Sequence, residues 1–162
     1  MLDKTSKRPN NLELFRAFER LNREWLEEYF VVEGVDEELF SNVEDRIINK
    51  GGTIVFIEND TDIVGCGALL FHTTERVELT KMAVTKKERG KGYGRVLMKS
   101  LIEVAVGKGL ASLELITNSS LTPAIKLYES FGFKKTGNGK GCAYERGDYE
   151  MLLKLGPLSG SF

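Results

Sequence analysis

Arg89, Gly92 and Gly94 stand in the spacing R-x-x-G-x-G, inside the run Arg89-Gly90-Lys91-Gly92-Tyr93-Gly94. Three alternate glycines leave backbone amides bare of side chains, so an anion can approach them closely. A helical pattern begins at once, and a helix start presents unpaired N–H groups and the positive end of its dipole. The chemistry implied is the cradling of a phosphate or diphosphate. Two well-known cradles do not fit. A Walker loop needs Gly-Lys followed by Ser or Thr, and Gly90-Lys91 is followed by Gly92. A dinucleotide fingerprint needs G-x-G-x-x-G, and the third glycine position is Arg95. Lys81, Lys86, Lys87, Arg89, Lys91, Arg95 and Lys99 crowd around the loop. A polyphosphate suits that patch, and so does plain solvent.

The elements around the loop follow from periodicity. Asn10 and Glu13 read as a capping box. Leu14, Phe18, Leu21, Trp25 and Tyr29 recur at helical spacing, predicting a helix over about 11–29. Residues 36–50 suggest one or two short helices ended by Gly51-Gly52. Strands are expected over 53–57, 63–72 and 77–84 as a meander, with Gly65 and Gly67 marking a bulge or a close backbone approach. A helix from Tyr93 to about Gly107, a strand over 112–117 and a helix from Pro123 to about Gly132 follow. Phe133 and Lys134 begin a further strand, 137–143 is loop-like, and a last strand is expected over about 144–155. The fold class is α/β: a mixed sheet with an antiparallel meander, then a central β-α-β unit, and helices on both faces. The glycine turn lies at the carboxyl end of the first strand of that unit, where open sheets bind ligands.

The totals narrow the classes. The 162 residues suit one domain, 1–162, with a real core. Hydrophobic residues make up 41% and charged ones 29%, as in soluble globular chains. A net charge of −1 argues against a dedicated nucleic-acid binder. Cys66 and Cys142 lack partners at metal-ligand spacing, so both read as reduced thiols and no metal is expected. No apolar signal region opens the chain, and the longest apolar run, 63–71, is too short to span a bilayer. A cytoplasmic protein with no membrane partner is the default expectation.

The loop resembles the acetyl-coenzyme A pyrophosphate loop of the GNAT superfamily, the GCN5-related N-acetyltransferases. A second stretch, Asn118-x5-Ala124-Ile125-x-Leu127-Tyr128-x3-Gly132-Phe133, is similar to that family's N-x-x-N-x-x-A-x-x-L-Y-x-x-x-G-F signature. The likeness covers about residues 50–155. The second Asn of the signature is Leu121 here, and residues 1–9 show no pattern for the strand with which the family usually begins. The resemblance implies a GNAT-like fold and acetyl-CoA as co-substrate. It implies that Arg89, Gly90, Lys91, Gly92, Tyr93, Gly94 and Arg95 hold the diphosphate and that Asn118 also binds the cofactor. Main-chain groups of Met82 and Val84 would pair with the pantetheine arm, and the Met82 N–H would polarise the acetyl carbonyl.

The chemistry then needs a base and an acid. Glu78 stands four residues before Met82 on one strand, so period-two alternation places both side chains on one face. A carboxylate desolvated there suits a general base; an exposed strand carboxylate is the bland alternative. Tyr128 matches the family's usual general acid, or it is a packed aromatic. By the same resemblance, Trp25 and Tyr29 on the first helix, with Tyr144 and Arg146 on one face of the last strand, would line the acceptor side. Aromatic walls with a guanidinium suit a small amine that also bears a carboxylate. Arg146 would otherwise be a surface ion pair with Glu145 or Asp148, and Glu24, Glu27 and Glu28 keep a cationic acceptor open. Three classes remain: an acetyltransferase, a catalytically silent acyl-CoA-binding module, and an interaction domain using the first helix. The sequence is silent on oligomeric state, and a homo-oligomer stays open.

Overall fold

The computed structural model describes residues 9–156. Helix α1 (Asn11–Tyr29) opens on the capping box: the Glu13 N–H donates to Asn10 Oδ1 at 2.9 Å, and the Asn10 N–H to Glu13 Oε2 at 3.3 Å. Its apolar stripe buries Ala17, Phe18, Leu21 and Leu26. Helix α2 (Gly34–Ser41) and a π-helical turn (Glu44–Ile48) close the first segment. Strands β1 (Thr53–Glu58), β2 (Ile63–Phe71) and β3 (Val77–Val84) form the antiparallel meander. Helix α3 (Tyr93–Gly107) crosses to β4 (Ser112–Thr117), which runs parallel to β3. Helix α4 (Thr122–Ser130), β5 (Lys134–Gly137) and β6 (Tyr149–Lys154) complete the chain.

The six strands lie in the order β1-β2-β3-β4-β6-β5. One core joins α1 and α2 to Cys66, Ala68 and Ala83. On the opposite face, Met98, Leu101 and Ala105 of α3 and Ile125 of α4 pack on Leu69, Leu79, Leu113 and Leu115. Helices therefore cover both faces, as the pattern predicts. Among the described residues no helix is long and apolar enough to cross a membrane.

Two departures from the expected elements shape the molecule. The last strand begins at Tyr149, not near 144, because the chain turns there: the Gly147 N–H donates to the Tyr144 carbonyl. Tyr144 and Arg146 thus sit on a turn, not on a strand face. The second departure is in β3. Cys66 pairs with Ala83 and Ala68 with Thr80, so Gly67 alone faces both Lys81 and Met82. That is a β-bulge on β3, and Lys81 takes the left-handed φ of 57° within it. The expected first strand falls on residues 1–9; 1–8 lie outside the described residues.

Candidate active site

The glycine loop is a bare backbone surface. Gly90 and Gly92 have φ of 80° and 84°, and a Cβ at either would meet nothing within 4 Å. Gly92 is the N-cap of α3 and offers no side-chain cap. The first backbone bond there runs from the Val96 N–H to the Gly92 carbonyl, leaving the N–H groups of Tyr93, Gly94 and Arg95 ahead of it. Arg89 folds back over this site. Its Nε donates to the Val84 carbonyl at 2.9 Å and its Nη1 to Glu28 at 2.7 Å, while Nη2 is buried without a partner among the described residues. An unpaired buried donor beside open amides fits a diphosphate. Lys91 pairs with Glu88, and Arg95 stacks on Phe131 with Nη1 on Ser130.

A groove of about 400 Å³ runs from this loop past Val84, Met82, Trp25 and Tyr128. A second, smaller cavity of about 100 Å³ meets it at Trp25, Met82 and Tyr128. The cavity exists because β3 and β4 pair only at Glu78 and Glu114 and then part. Lys81 and Met82 line one side of the cleft, Leu115 and Thr117 the other. Glu78 lies in this lining, and its side chain is 7% exposed. Glu78 and Met82 do not share a face, contrary to strict alternation. Glu78 sits opposite Leu70, which packs toward α1, whereas the Met82 side chain packs toward α3. The bulge at Lys81 inserts the residue that reverses the pattern. The Tyr128 ring packs edge-on to Phe133 at 6.2 Å, and burial pushes its phenol up to about 12. It therefore stays protonated through the neutral range.

The cavity's polar wall is a charge cluster that the sequence pattern did not reveal. Asp36 is fully buried and accepts from Arg146 through both Nη atoms, at 2.8 and 2.7 Å. Lys81 Nζ reaches the same carboxylate from β3, and Glu33 takes a third bond from Arg146 at 3.0 Å. Burial alone would raise the Asp36 carboxyl; the Arg146 fork and Lys81 overcome it and hold the group at about 2. Desolvation pulls the Lys81 ammonium down, against Asp36. Arg146 is thus not a lone cation, nor does it pair with Glu145 or Asp148. Its Nε has no partner among the described residues, and Arg146 lines the cavity. The Tyr144 ring lies 4.3 Å from its guanidinium carbon.

Other expected residues fall differently. Trp25 borders both spaces. Tyr29 borders neither; it is 48% exposed, stacks on Trp25 and covers Arg89. Asn118 lines the small cavity, where its Nδ2 holds the Arg146 carbonyl at 2.8 Å. Glu24 caps the start of the basic turn through Thr85 and the Lys86 N–H, and Glu28 holds Arg89, so neither supplies an acidic cavity wall.

Comparison with known proteins places this architecture. Residues 18–133 match the model of the acetyltransferase (GNAT) family. An uncharacterised N-acetyltransferase of Schizosaccharomyces pombe is 32% identical over 128 residues, which cover 74% of this chain and 76% of that protein. The chain belongs to the GNAT family.

Human N-acetylaspartate synthetase is 37% identical over 79 residues, 48% of this chain but only 26% of that longer protein. Among solved structures, a GNAT-family acetyltransferase of Staphylococcus aureus Mu50 superposes with a TM-score of 0.80 at 19% identity, covering 91% of this chain and 96% of its own. A GNAT-family acetyltransferase of Elizabethkingia anophelis, whose structure contains acetyl-CoA, gives 0.57 at 25% identity over 70% and 82%. The protein is an N-acetyltransferase of the GNAT type. In GNAT terms, the signature's missing Asn at Leu121 falls on the lining of the small cavity. Of the residues not read as part of the site from sequence, Lys81 carried a signal: it is a lysine inside a central strand, three residues after Glu78. Asp36 carried none, since it reads as one more acid in a charged helix start.

Proposed function

We propose that the protein moves the acetyl group of acetyl-CoA to the primary amine of a small, amino-acid-like acceptor, within one catalytic domain. The reading is carried by one observation: a cavity of about 100 Å³ gathers Glu78, Tyr128 and Arg146 in its lining and meets the glycine-loop groove at Met82. Acetyl-CoA supplies the activated thioester. The loop N–H groups from Gly90 to Arg95 and Arg89 Nη2 hold its diphosphate. The main chain of Met82 and Val84 lines the pantetheine path, and the Met82 N–H polarises the acetyl carbonyl. The Val84 carbonyl already accepts from Arg89 but keeps a second lone pair.

Glu78 takes a proton from the acceptor's ammonium group, and the freed nitrogen attacks the carbonyl carbon. The C–N bond forms, the C–S bond breaks, Tyr128 protonates the departing sulfur, and the second proton lost by the nitrogen as it becomes an amide restores the Tyr128 phenol. The acceptor's carboxylate takes the free Nε edge of Arg146, a guanidinium preorganised by Asp36 and Glu33. The relative named N-acetylaspartate synthetase supports an amino-acid acceptor. The small volume speaks against a peptide, and the engagement of Glu24 and Glu28 elsewhere speaks against a polyamine.

The test is a thiol-release assay on L-α-amino acids, aspartate included, each against its decarboxylated amine. The parent is expected to prefer the acid. Arg146→Lys keeps the charge but loses the fork, and the preference with it; Arg146→Ala does the same. A parent that prefers the bare amine, acetylates only peptides, or binds acetyl-CoA without turnover of any acceptor overturns the proposal.

A further inference from the structure

We infer that His72, the chain's only histidine, is a positioning residue that orients Glu78 and sets how readily that carboxylate takes a proton. The inference rests on the reading of Glu78 as general base. His72 Nε2 lies 2.8 Å from Glu78 Oε1. An ionised carboxylate only accepts, so Nε2 carries the hydrogen. The β2–β3 hairpin fixes both partners: Glu78 pairs with Leu70, two residues before His72, and the His72 N–H donates to the Arg76 carbonyl at 2.9 Å. With Oε1 engaged by the ring, Oε2 is left for the cavity that Glu78 lines. The two side chains differ in exposure, 33% for His72 against 7% for Glu78. The ring is therefore the point at which solvent acidity reaches a base that is itself nearly closed off.

Charged groups surround the pair on every packed element. Glu114 on β4 brings an oxygen within 4.8 Å of both His72 and Glu78. Arg76, in the hairpin turn, places Nε 2.9 Å from that side chain and offsets its charge. Lys81 on β3, and Cys142 and Tyr144 from the loop before β6, feel the Glu78 charge, and Glu150 on β6 acts on Arg76 and Cys142. Since Glu114 is already met by Arg76, His72 is the variable partner of Glu78. A neutral ring aims the carboxylate with one ordinary hydrogen bond. An imidazolium turns that bond into an ion pair, which stabilises the carboxylate and weakens it as a proton acceptor. Turnover is then slower with the imidazolium than with the neutral ring.

Two measurements test this. The first needs no acceptor, so its failure is separate from a failure of the proposed function. In ¹⁵N-labelled parent protein the single histidine should show a downfield, slowly exchanging Nε2–H resonance. It should vanish in Glu78→Ala and in Glu78→Met, whose spectra also report whether the fold is kept. The second is kcat against pH with acetyl-CoA and the amino acid that ranks first in the panel above. His72→Gln keeps an N–H donor but cannot ionise, so its rate near pH 8 should stay close to the parent's while the acid limb moves to lower pH. His72→Ala should lose about tenfold in kcat, part of the 10²–10⁴ attached to a general base, with acetyl-CoA affinity unchanged. No ring resonance in the parent, or an acid limb identical in parent and His72→Gln, overturns the inference.

Discussion

The groove of the glycine loop and the small cavity meet at Trp25, Met82 and Tyr128, yet loop and cavity are built on opposite principles. The loop is local and made of backbone: seven consecutive residues, two glycines at positive φ, and a helix start with no side-chain cap. The cavity is assembled from distant side chains on α1, β3, β4, α4 and the turn before β6, and Asp36 of α2 binds two of them, Lys81 and Arg146. Its charged wall is buried, and each member leans on another. A diphosphate looks similar in any acyl-CoA, so a short local motif suffices to hold it. An acceptor must be selected by shape and charge, which takes contributions from across the fold. Perturbing the loop should therefore affect ligand binding most. Perturbing the cavity wall should affect the fold as well as the reaction.

The largest effect is expected at the two proton carriers, Glu78 inside the cavity and Tyr128 where groove and cavity join. Glu78→Gln and Tyr128→Phe each keep size and shape but remove a proton carrier. Each should lower kcat by roughly 10²–10⁴, with acetyl-CoA affinity and unfolding midpoint near the parent's. Calorimetric titration with acetyl-CoA alone separates the two quantities. Full activity in both variants would leave catalysis to proximity and erase the chemical distinction between loop and cavity.

Next comes the charged wall itself. Asp36→Asn leaves Lys81, with 5% of its side chain exposed, and Arg146 without their shared carboxylate. Removing one member of a buried ionic group costs about 3–5 kcal/mol, a fall in Tm on the order of 10 °C for a chain of this size. The effect has a pH signature. The folded Asp36 carboxyl, at about 2, lies below its ordinary 3.8. Its stabilisation is thus present above about pH 4 and lost as pH falls from there through about 2. The gap between parent and Asp36→Asn in urea unfolding should be full at pH 7 and narrow by pH 3. A gap that does not change with pH would mean that the carboxylate's charge is not what the wall uses.

How much of this was legible follows from the same contrast. The R-x-x-G-x-G spacing and the Tyr128 signature are contiguous, so both could be read directly. The meander and the β-α-β unit followed from period-two and helical stripes, and the bulge was half-announced by Gly67. Its site was not: the extra residue lies on β3, and only the cross-strand register shows that Lys81 joins the face of Glu78. Arg146 was visible as a cation. Its partners were not, because Asp36 is 110 residues away and sequence offers no period that links them. His72 was passed over for the same reason, since its value comes from a hairpin that brings it to Glu78.

The smallest effect isolates what the loop contributes beyond its conformation. Gly92 and Gly109 stand at the two ends of α3, with φ of 84° and 75°, and a Cβ at either would meet nothing within 4 Å. A valine at either site forces a β-branched residue into left-handed backbone, at about 1–2 kcal/mol. The stability losses should therefore be similar and modest. Ligand binding should not be similar. At Gly92 the new side chain occupies the space beside the amides of α3's first turn, where a diphosphate must come close. Gly109 lies past the far end of the helix, away from the groove lining. Gly92→Val should weaken acetyl-CoA binding by at least tenfold, about 1.4 kcal/mol, while Gly109→Val leaves it within error of the parent. Thermal unfolding with and without acetyl-CoA reads both quantities in one experiment. Equal ligand-induced shifts in the two variants would show that the loop's backbone is ordinary turn geometry and that the diphosphate is held elsewhere.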